Sequence, residues 1–414
     1  MVNKKILIGV LIIVMLSFTG CSKAIQNQQL SSKKTSQEGI NQPEKEIDPL
    51  KEQIKNMTLE EKIGQMVIVG LDGYTIDDNT KAMIENEQVG GFILFGENVK
   101  NSSQLLELVN SLKNTNSKNR LPLFISVDEE GGRVSRMPNE FKNIPANKII
   151  GKVNDGNFSY EIGSIIGKEI KEFGFNMDFA PVLDINSNPK NLVIGDRSFS
   201  ADPEVVSKLG VQTMKGIQTS GVIPVVKHFP GHGDTSIDSH IGLPSVNNDL
   251  NRLNDFELVP FNDAIKNGAD AVMVAHILLN KIDAQNPASL SKIIITDLLR
   301  NKLNFNGVVI TDDMTMGAIV KNYTINDAAI KSVNAGSDIV LVCHGHDNEV
   351  GVIDVLKKAV ENGTILQERV DESVYRILKL KYKYSLSDNI LNSFDVERIN
   401  TKIDMILDTY LNRK

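Results

Sequence analysis

Between residues 227 and 240 the chain gathers a lysine, three histidines and two aspartates: Lys227-His228-Phe229-Pro230-Gly231-His232-Gly233-Asp234-Thr235-Ser236-Ile237-Asp238-Ser239-His240. Two kinds of chemistry use such a set. An aspartate that accepts from one imidazole nitrogen fixes the tautomer and leaves the other nitrogen to exchange a proton, which suits Asp238 and His240. Histidines and aspartates also ligate metals, but the His-Gly-Asp and Asp-Ser-His spacings match no standard zinc pattern. Lys227 would also place a positive charge beside the ion, so neither metal nor other cofactor is expected. A further carboxylate, Asp312, follows Gly307-Val308-Val309-Ile310-Thr311. At a strand end it can be a nucleophile, a base or a ligand, although such a residue alone is as often a helix cap.

These groups need a scaffold that brings distant segments to one face. The β-branched run Val222-Ile223-Pro224-Val225-Val226 leads into the 227–240 loop and reads as a buried strand. Seven other runs resemble it: Met66–Val69, Gly91–Phe95, Leu123–Val127, Met177–Val182, Ala271–Val274, Gly307–Ile310 and Asp338–Val342. Helical periodicity lies between them, as in Ser159–Phe173 and Pro203–Thr219, and Thr58-Leu59-Glu60-Glu61 has capping-box spacing. Eight strands alternating with helices predict an α/β fold, a (β/α)8 TIM-like barrel. A doubly wound open sheet is the alternative, and the absence of a glycine-rich fingerprint after the first strand speaks against a dinucleotide-binding version. The polar residues follow the strands: Asp128 the third, Lys227 and His228 the fifth, His276 the sixth, Asp312 and Asp313 the seventh, His344 and His346 the eighth. In a parallel barrel those ends converge where active sites are built.

The chain of 414 residues carries a net charge of -7 with no basic stripe, which argues against nucleic acid as a partner. Lys4 and Lys5 precede an apolar run from Ile6 to Phe18 that is too short to span a bilayer and fits a signal sequence. Ser17-Phe18-Thr19-Gly20-Cys21 then resembles a bacterial lipoprotein signal, with Cys21 as the acylated first residue; Phe18 departs from the usual leucine. An ordinary cleaved signal and a membrane-spanning anchor are the alternatives. With Cys21 acylated, Cys343 has no intramolecular partner. The expected organisation is a signal peptide over 1–20, a flexible tether over 21–49, a catalytic barrel over 50–384 and a tail over 385–414 with a helix from Val396 to Leu411.

The 227–240 loop resembles the signature of glycoside hydrolase family 3, in its β-N-acetylhexosaminidase, NagZ-like branch. Four more segments fit in family order: Val127-Asp128-Glu129-Glu130-Gly131-Gly132-Arg133-Val134, Met177-Asp178-Phe179-Ala180-Pro181-Val182-Leu183-Asp184, Gly195-Asp196-Arg197-Ser198-Phe199 and Val309-Ile310-Thr311-Asp312-Asp313-Met314. The resemblance implies a retaining exo-β-N-acetylglucosaminidase that uses Asp312 as nucleophile, His240 as acid/base and Asp238 as its partner. It implies that Asp128, Arg136, Arg197, Lys227 and His228 grip the sugar, with Lys227 helping to keep Asp312 ionised. Arg133 reads as a loop buttress, Glu129 and Glu130 as loop scaffolding, and His276, His344 and His346 as structural histidines.

Three other readings compete. In a substrate-assisted hexosaminidase Asp312 and Asp313 would orient the substrate acetamide, and in a phosphorylase the histidine acid/base would tolerate an anionic acceptor. A lipoprotein that binds glycans without turnover is the third. The lipid anchor implies a place on the outer face of the cytoplasmic membrane, and a monomer is expected. There the expected partners are the membrane and N-acetylglucosamine-containing glycans, peptidoglycan fragments first among them.

Overall fold

The computed structural model describes residues 48–235 and 238–412. The expected signal peptide, Cys21 and nearly all of the expected tether lie outside those residues. Eight parallel strands form the barrel: β1 (Val67–Val69), β2 (Gly91–Leu94), β3 (Phe124–Val127), β4 (Met177–Asp178), β5 (Ile223–Phe229), β6 (Ala271–Val274), β7 (Val308–Thr311) and β8 (Val340–Val342). Each pairs with its sequence neighbour from β1 to β7, and β1 pairs with β8 in the register Val67↔Val340. A bridge between Ile310 and Ile339 joins β7 to β8 and completes the ring. The fold is therefore a (β/α)8 barrel. Every barrel strand is buried along its whole length, which accounts for the unbroken apolar runs in the sequence.

Two strands differ from expectation. The fourth shrinks to Met177–Asp178, because beyond it the chain loses its β3 partner while staying beside β5: Phe179 N–H still donates to Val127, whereas Leu183 N–H donates to Lys227. Pro181 lies at the changeover and has no N–H for either ladder. The fifth strand extends through Lys227 and His228, with a register shift between Val226 and Phe229. Lys227 and His228 thus belong to the strand itself. A separate two-stranded pairing of Ser245–Val246 with Leu278–Leu279 ties the loop after β5 to the loop after β6.

Local chemistry sets the helices. Thr58 Oγ1 accepts from Glu61 N–H at 3.2 Å and the Glu61 carboxylate accepts from Thr58 N–H at 2.8 Å, closing the capping box of Leu59–Gln65. Asp202 caps Pro203–Thr219, whose N-terminal proline needs no partner. After residue 384 the helix Val396–Tyr410 buries Ile399 and Ile403, and Tyr410 stacks on Phe158 at 4.8 Å.

Asp338, immediately before β8, is fully buried and receives three arginines: Arg300 at 2.5 Å, Arg369 at 2.9 Å and Arg376 at 3.1 Å. Burial alone would raise its pKa, but the three guanidinium groups and the Val309 N–H pull it down to about 2. The linkage is that of a depressed carboxylate: its contribution is full above the ordinary value of 3.8 and is lost as pH falls towards 2. Asp338→Asn leaves three arginines facing a neutral group, and it should lower unfolding free energy by about 3–5 kcal/mol, read as a reduced urea midpoint at pH 7.

Candidate active site

The carboxyl ends of the strands surround a cavity of about 740 Å³. Asp128, Arg136, Arg197, Lys227, His228, Asp238, His240 and Asp312 all line it, so residues spread over 185 positions (312 − 128 + 1) meet in one place.

One wall is a continuous chain of charges. Lys227, buried at the end of β5, donates to Asp128 at 2.5 Å and to Glu130 at 2.6 Å. Glu130, also buried, receives Arg197 in a two-point fork of 2.8 Å and 2.7 Å. Arg197 in turn approaches His228 Nε2 at 3.4 Å, and His228 Nδ1 donates to Asp184 at 2.6 Å. Asp184 is fully buried and also accepts from His232 N–H at 2.6 Å. Burial works against every charge here, yet Glu130 is held below the ordinary carboxylate range by Arg197 and Lys227. Lys227 is held above its ordinary value by Asp128 and Glu130 in the same way. Asp128 is the member with a partly open carboxylate.

Behind this wall Glu129 braces the loop by accepting Arg136 N–H at 2.7 Å, while Asp178 accepts Glu129 N–H at 3.0 Å. Burial raises Glu129 to about 7 and takes Asp178 and Glu169 well above their ordinary values, an acid cluster that is scaffolding. Among the described residues the Arg136 guanidinium donates only to the neighbouring Ser135 carbonyl at 3.3 Å, and it lines the cavity.

The two acids after β7 have opposite environments. Asp313 is consumed by the turn, accepting from Thr315 N–H at 2.9 Å, Cys343 N–H at 3.0 Å and the Thr315 hydroxyl at 2.5 Å. Among the described residues the Asp312 carboxylate accepts only from Asp313 N–H at 2.9 Å, which leaves its second oxygen unbonded at the cavity it lines. Burial pushes Asp312 up, but the imidazoles of His276 and His228 and the Asp313 N–H leave it below the ordinary value. His276 is buried and bonded on both nitrogens, donating to the Asp313 carbonyl at 2.9 Å and accepting from the Ser289 hydroxyl at 2.6 Å.

Opposite lies the loop of Asp238 and His240. Asp238 accepts both the N–H of His240 and its Nδ1 at 2.9 Å, which leaves Nε2 free on a largely exposed ring. Burial raises Asp238, but the two His240 bonds bring it below its ordinary value. The loop is pinned from beneath: Ser239 accepts Ala318 N–H at 2.9 Å, and its hydroxyl meets His232 Nε2 at 3.2 Å. At Gly317 a Cβ would run into the His240 carbonyl, so the close approach requires glycine.

Several sequence expectations need correction. Lys227 is engaged by Asp128 and Glu130, and it forms no bond or ion pair with Asp312 among the described residues. Glu130 is the hub of the charged wall rather than loop scaffolding. His344 is an exposed ring on the cavity rim, stacked on Phe95 at 5.2 Å. His346 lies outside this cavity, 3.7 Å from Glu349. Arg133, by contrast, is the buttress that was expected, bonded to Asp196 at 2.8 Å and to the Leu192 and Val193 carbonyls. Asp184 had no role in the sequence reading, although it lies in one of the matching segments. Among the described residues no group of three or more His, Cys, Asp or Glu side chains is placed to hold a metal ion.

A family model described as the glycosyl hydrolase family 3 N terminal domain matches residues 58–380. Beta-hexosaminidase A of Pseudoalteromonas piscicida is 39% identical over 333 residues, covering 75% of this chain and 56% of that protein. The chain thus spans little more than half the length of that relative. A beta-hexosaminidase of Tolumonas auensis is 36% identical over 70% of this chain and 86% of its own length. The solved family 3 beta-N-acetylglucosaminidase of Paenibacillus sp. str. FPU-7 superposes with a TM-score of 0.81 at 39% identity, covering 86% of this chain and 69% of that one.

His232, buried between Thr235 and Ser239, has its pKa pulled down to about 4, chiefly by burial. The folded form therefore binds fewer protons than the unfolded one between pH 4 and the ordinary histidine value of 6.5. Its contribution to stability is full above that window and falls as the pH drops through it. Thermal unfolding across the window should show a flatter pH dependence for His232→Gln than for the wild type.

Proposed function

The chain belongs to glycosyl hydrolase family 3, and from that premise we propose that it is a retaining exo-β-N-acetylglucosaminidase acting on terminal β-linked N-acetylglucosamine. The carrying observation is the contrast between two free atoms and their tied neighbours. Among the described residues one Asp312 oxygen and His240 Nε2 have no hydrogen bond at the cavity that both residues line, while Asp313 accepts three bonds and His240 Nδ1 is tied to Asp238.

In this reading an Asp312 oxygen attacks the anomeric carbon as its bond to the leaving oxygen breaks. The doubly protonated His240 ring gives its Nε2 proton to that oxygen, and Asp238 on Nδ1 stabilises the imidazolium beforehand. The neutral ring then takes a proton from water as the water oxygen attacks the same carbon, and Asp312 leaves as the carboxylate. Asp312 below its ordinary pKa favours the anion that attack requires. The charged wall is assigned to the sugar: Asp128 accepts hydroxyl protons, and Arg136, Arg197, Lys227 and His228 offer donors. Asp313 already accepts three bonds from Thr315 and Cys343, which makes Asp312 the freer of the two carboxylates.

The natural substrate in this reading is a cell-wall glycan or peptidoglycan fragment, and the site of action is the outer face of the cytoplasmic membrane through acylated Cys21. Both rest on the N-terminal sequence pattern. No helix among the described residues is long and apolar enough to cross a membrane.

On 4-nitrophenyl N-acetyl-β-D-glucosaminide, Asp312→Ala should lower kcat by about 10⁴-fold or more and His240→Ala by about 10²–10⁴-fold, measured as initial rates. Glu130→Gln weakens the grip on Lys227 and Arg197 without touching the reacting atoms. It should raise KM about tenfold while kcat falls less, which the same assay resolves.

A further inference from the structure

The helix Val396–Tyr410 lies beyond residue 380, where the family match ends, and none of its residues lines the catalytic cavity. The segment leading to it is nonetheless tied to the barrel along its length. Asp388 accepts from the Asn116 amide at 2.6 Å and from Leu123 N–H at 3.1 Å. The Asn110 side chain donates to the Leu391 carbonyl at 2.7 Å and accepts Leu391 N–H at 3.0 Å. Phe394 then packs against Phe173 at 5.6 Å, and Glu172 accepts Asp395 N–H at 3.0 Å and pairs with Arg398.

One contact of this helix reaches a loop of the active site. Asn400, half-buried, repeats the two-way pairing against the loop after β3: its amide donates to the Glu140 carbonyl at 2.8 Å and its oxygen accepts Lys142 N–H at 2.8 Å. Asp404, one turn further on, pairs with the Lys142 ammonium. A side-chain amide bonded to the backbone on both sides of Phe141 fixes that stretch in position and direction, as a strand partner would. The buried Phe141 ring lies 5.5 Å from Phe173, the ring that also carries Phe394.

That loop carries Arg136. From Asp128 to Ala146 it holds no helix and no strand, only a bridge between Gly131 and Val134, so its shape rests on point contacts. Gly132 N–H donates to the Ile144 carbonyl at 2.8 Å and Glu129 accepts Arg136 N–H at 2.7 Å, which closes the near end. Ser102 N–H donates to the Glu140 carboxylate at 3.1 Å and Asn400 takes the backbone beside it, which holds the far end. Lys227 and Arg197 are each fixed by a carboxylate, whereas the Arg136 guanidinium has no ion pair among the described residues. Backbone placement therefore decides where its charge stands.

We propose that Asn400 is a positioning residue: through residues 140–142 it sets the loop that presents Arg136 to the sugar, so that the C-terminal helix is part of the substrate-binding machinery. The inference rests on the reading above, in which Arg136 grips the sugar. Asn400 touches no reacting atom, so its loss weakens binding and leaves the chemical step alone.

Asn400→Ala removes both bonds and, alanine being the better helix former, does not weaken the helix itself. On 4-nitrophenyl N-acetyl-β-D-glucosaminide it should raise KM about three- to fivefold with kcat within about twofold of wild type. In an Arg136→Ala background the same substitution should raise KM by less than about 1.5-fold, since the group it positions is gone. Hydrogen exchange of the Arg136 amide, which is bonded to Glu129, should quicken in Asn400→Ala. Asn400→Asp keeps the Lys142 bond and loses the Glu140 bond; its KM should fall between wild type and the alanine variant, and it carries the test if the alanine variant melts early. An unchanged KM, an equal rise with and without Arg136, or an unchanged Arg136 amide each overturns the positioning role while the hydrolase reading stands. A wild type that leaves the glycoside intact overturns the hydrolase reading, and the positioning role falls with it.

Discussion

A lysine and an arginine buried near one another repel, and each loses its hydration; only an anion between them makes the arrangement tolerable. Glu130 is that anion. It takes Lys227 at 2.6 Å and the Arg197 fork at 2.7 Å and 2.8 Å, and through Arg197 the constraint reaches His228 and Asp184. Three elements supply the participants: the loop after β3, the turn before the helix Pro203–Thr219, and the end of β5. Remove the central carboxylate and two cations lose their register together. The polar wall of the cavity depends on this contact more than on any single bond to the outside.

The site also shows one residue type given different tasks by surroundings. Asp338 and Asp184 are buried and saturated, so they hold architecture. Asp313 is tied by three bonds, to Thr315 and Cys343, and the adjacent Asp312 keeps one oxygen unbonded among the described residues. Asp238 spends one oxygen on two bonds to His240, fixing which ring nitrogen is free. Histidines divide likewise: His232 and His276 are bonded on both nitrogens and sealed in, while His240 is bonded on one and exposed. Reactivity follows from what a group is not bonded to.

Much of this was legible in the sequence where the signal is local. The Thr58 capping box and the helix Pro203–Thr219 appear where the pattern put them, and the eight apolar runs became the eight barrel strands. Polar residues at strand ends met in one cavity because a parallel barrel leaves them nowhere else to go. What escaped were partnerships across the chain. Glu130 sits 67 positions from Arg197, and its neighbour Asp128 sits 99 from Lys227, separations at which no periodicity reports. The same blindness shortened the fifth strand on paper: a lysine reads as a loop residue until its buried carboxylate partners are known. The fourth is shorter in the structure than on paper, because its loss of the β3 partner near Pro181 depends on both neighbours.

The central claim is that the free oxygen of Asp312 forms a bond to the sugar. Incubation with a 5-fluoro N-acetylglucosaminyl fluoride slows release of the second half-reaction, and intact mass followed by peptide mapping locates any adduct. One added glycosyl unit per chain is expected, on the peptide containing Asp312 and absent in Asp312→Asn. An adduct on another residue, or turnover of the reagent with no covalent species under conditions that trap other retaining enzymes, would contradict it.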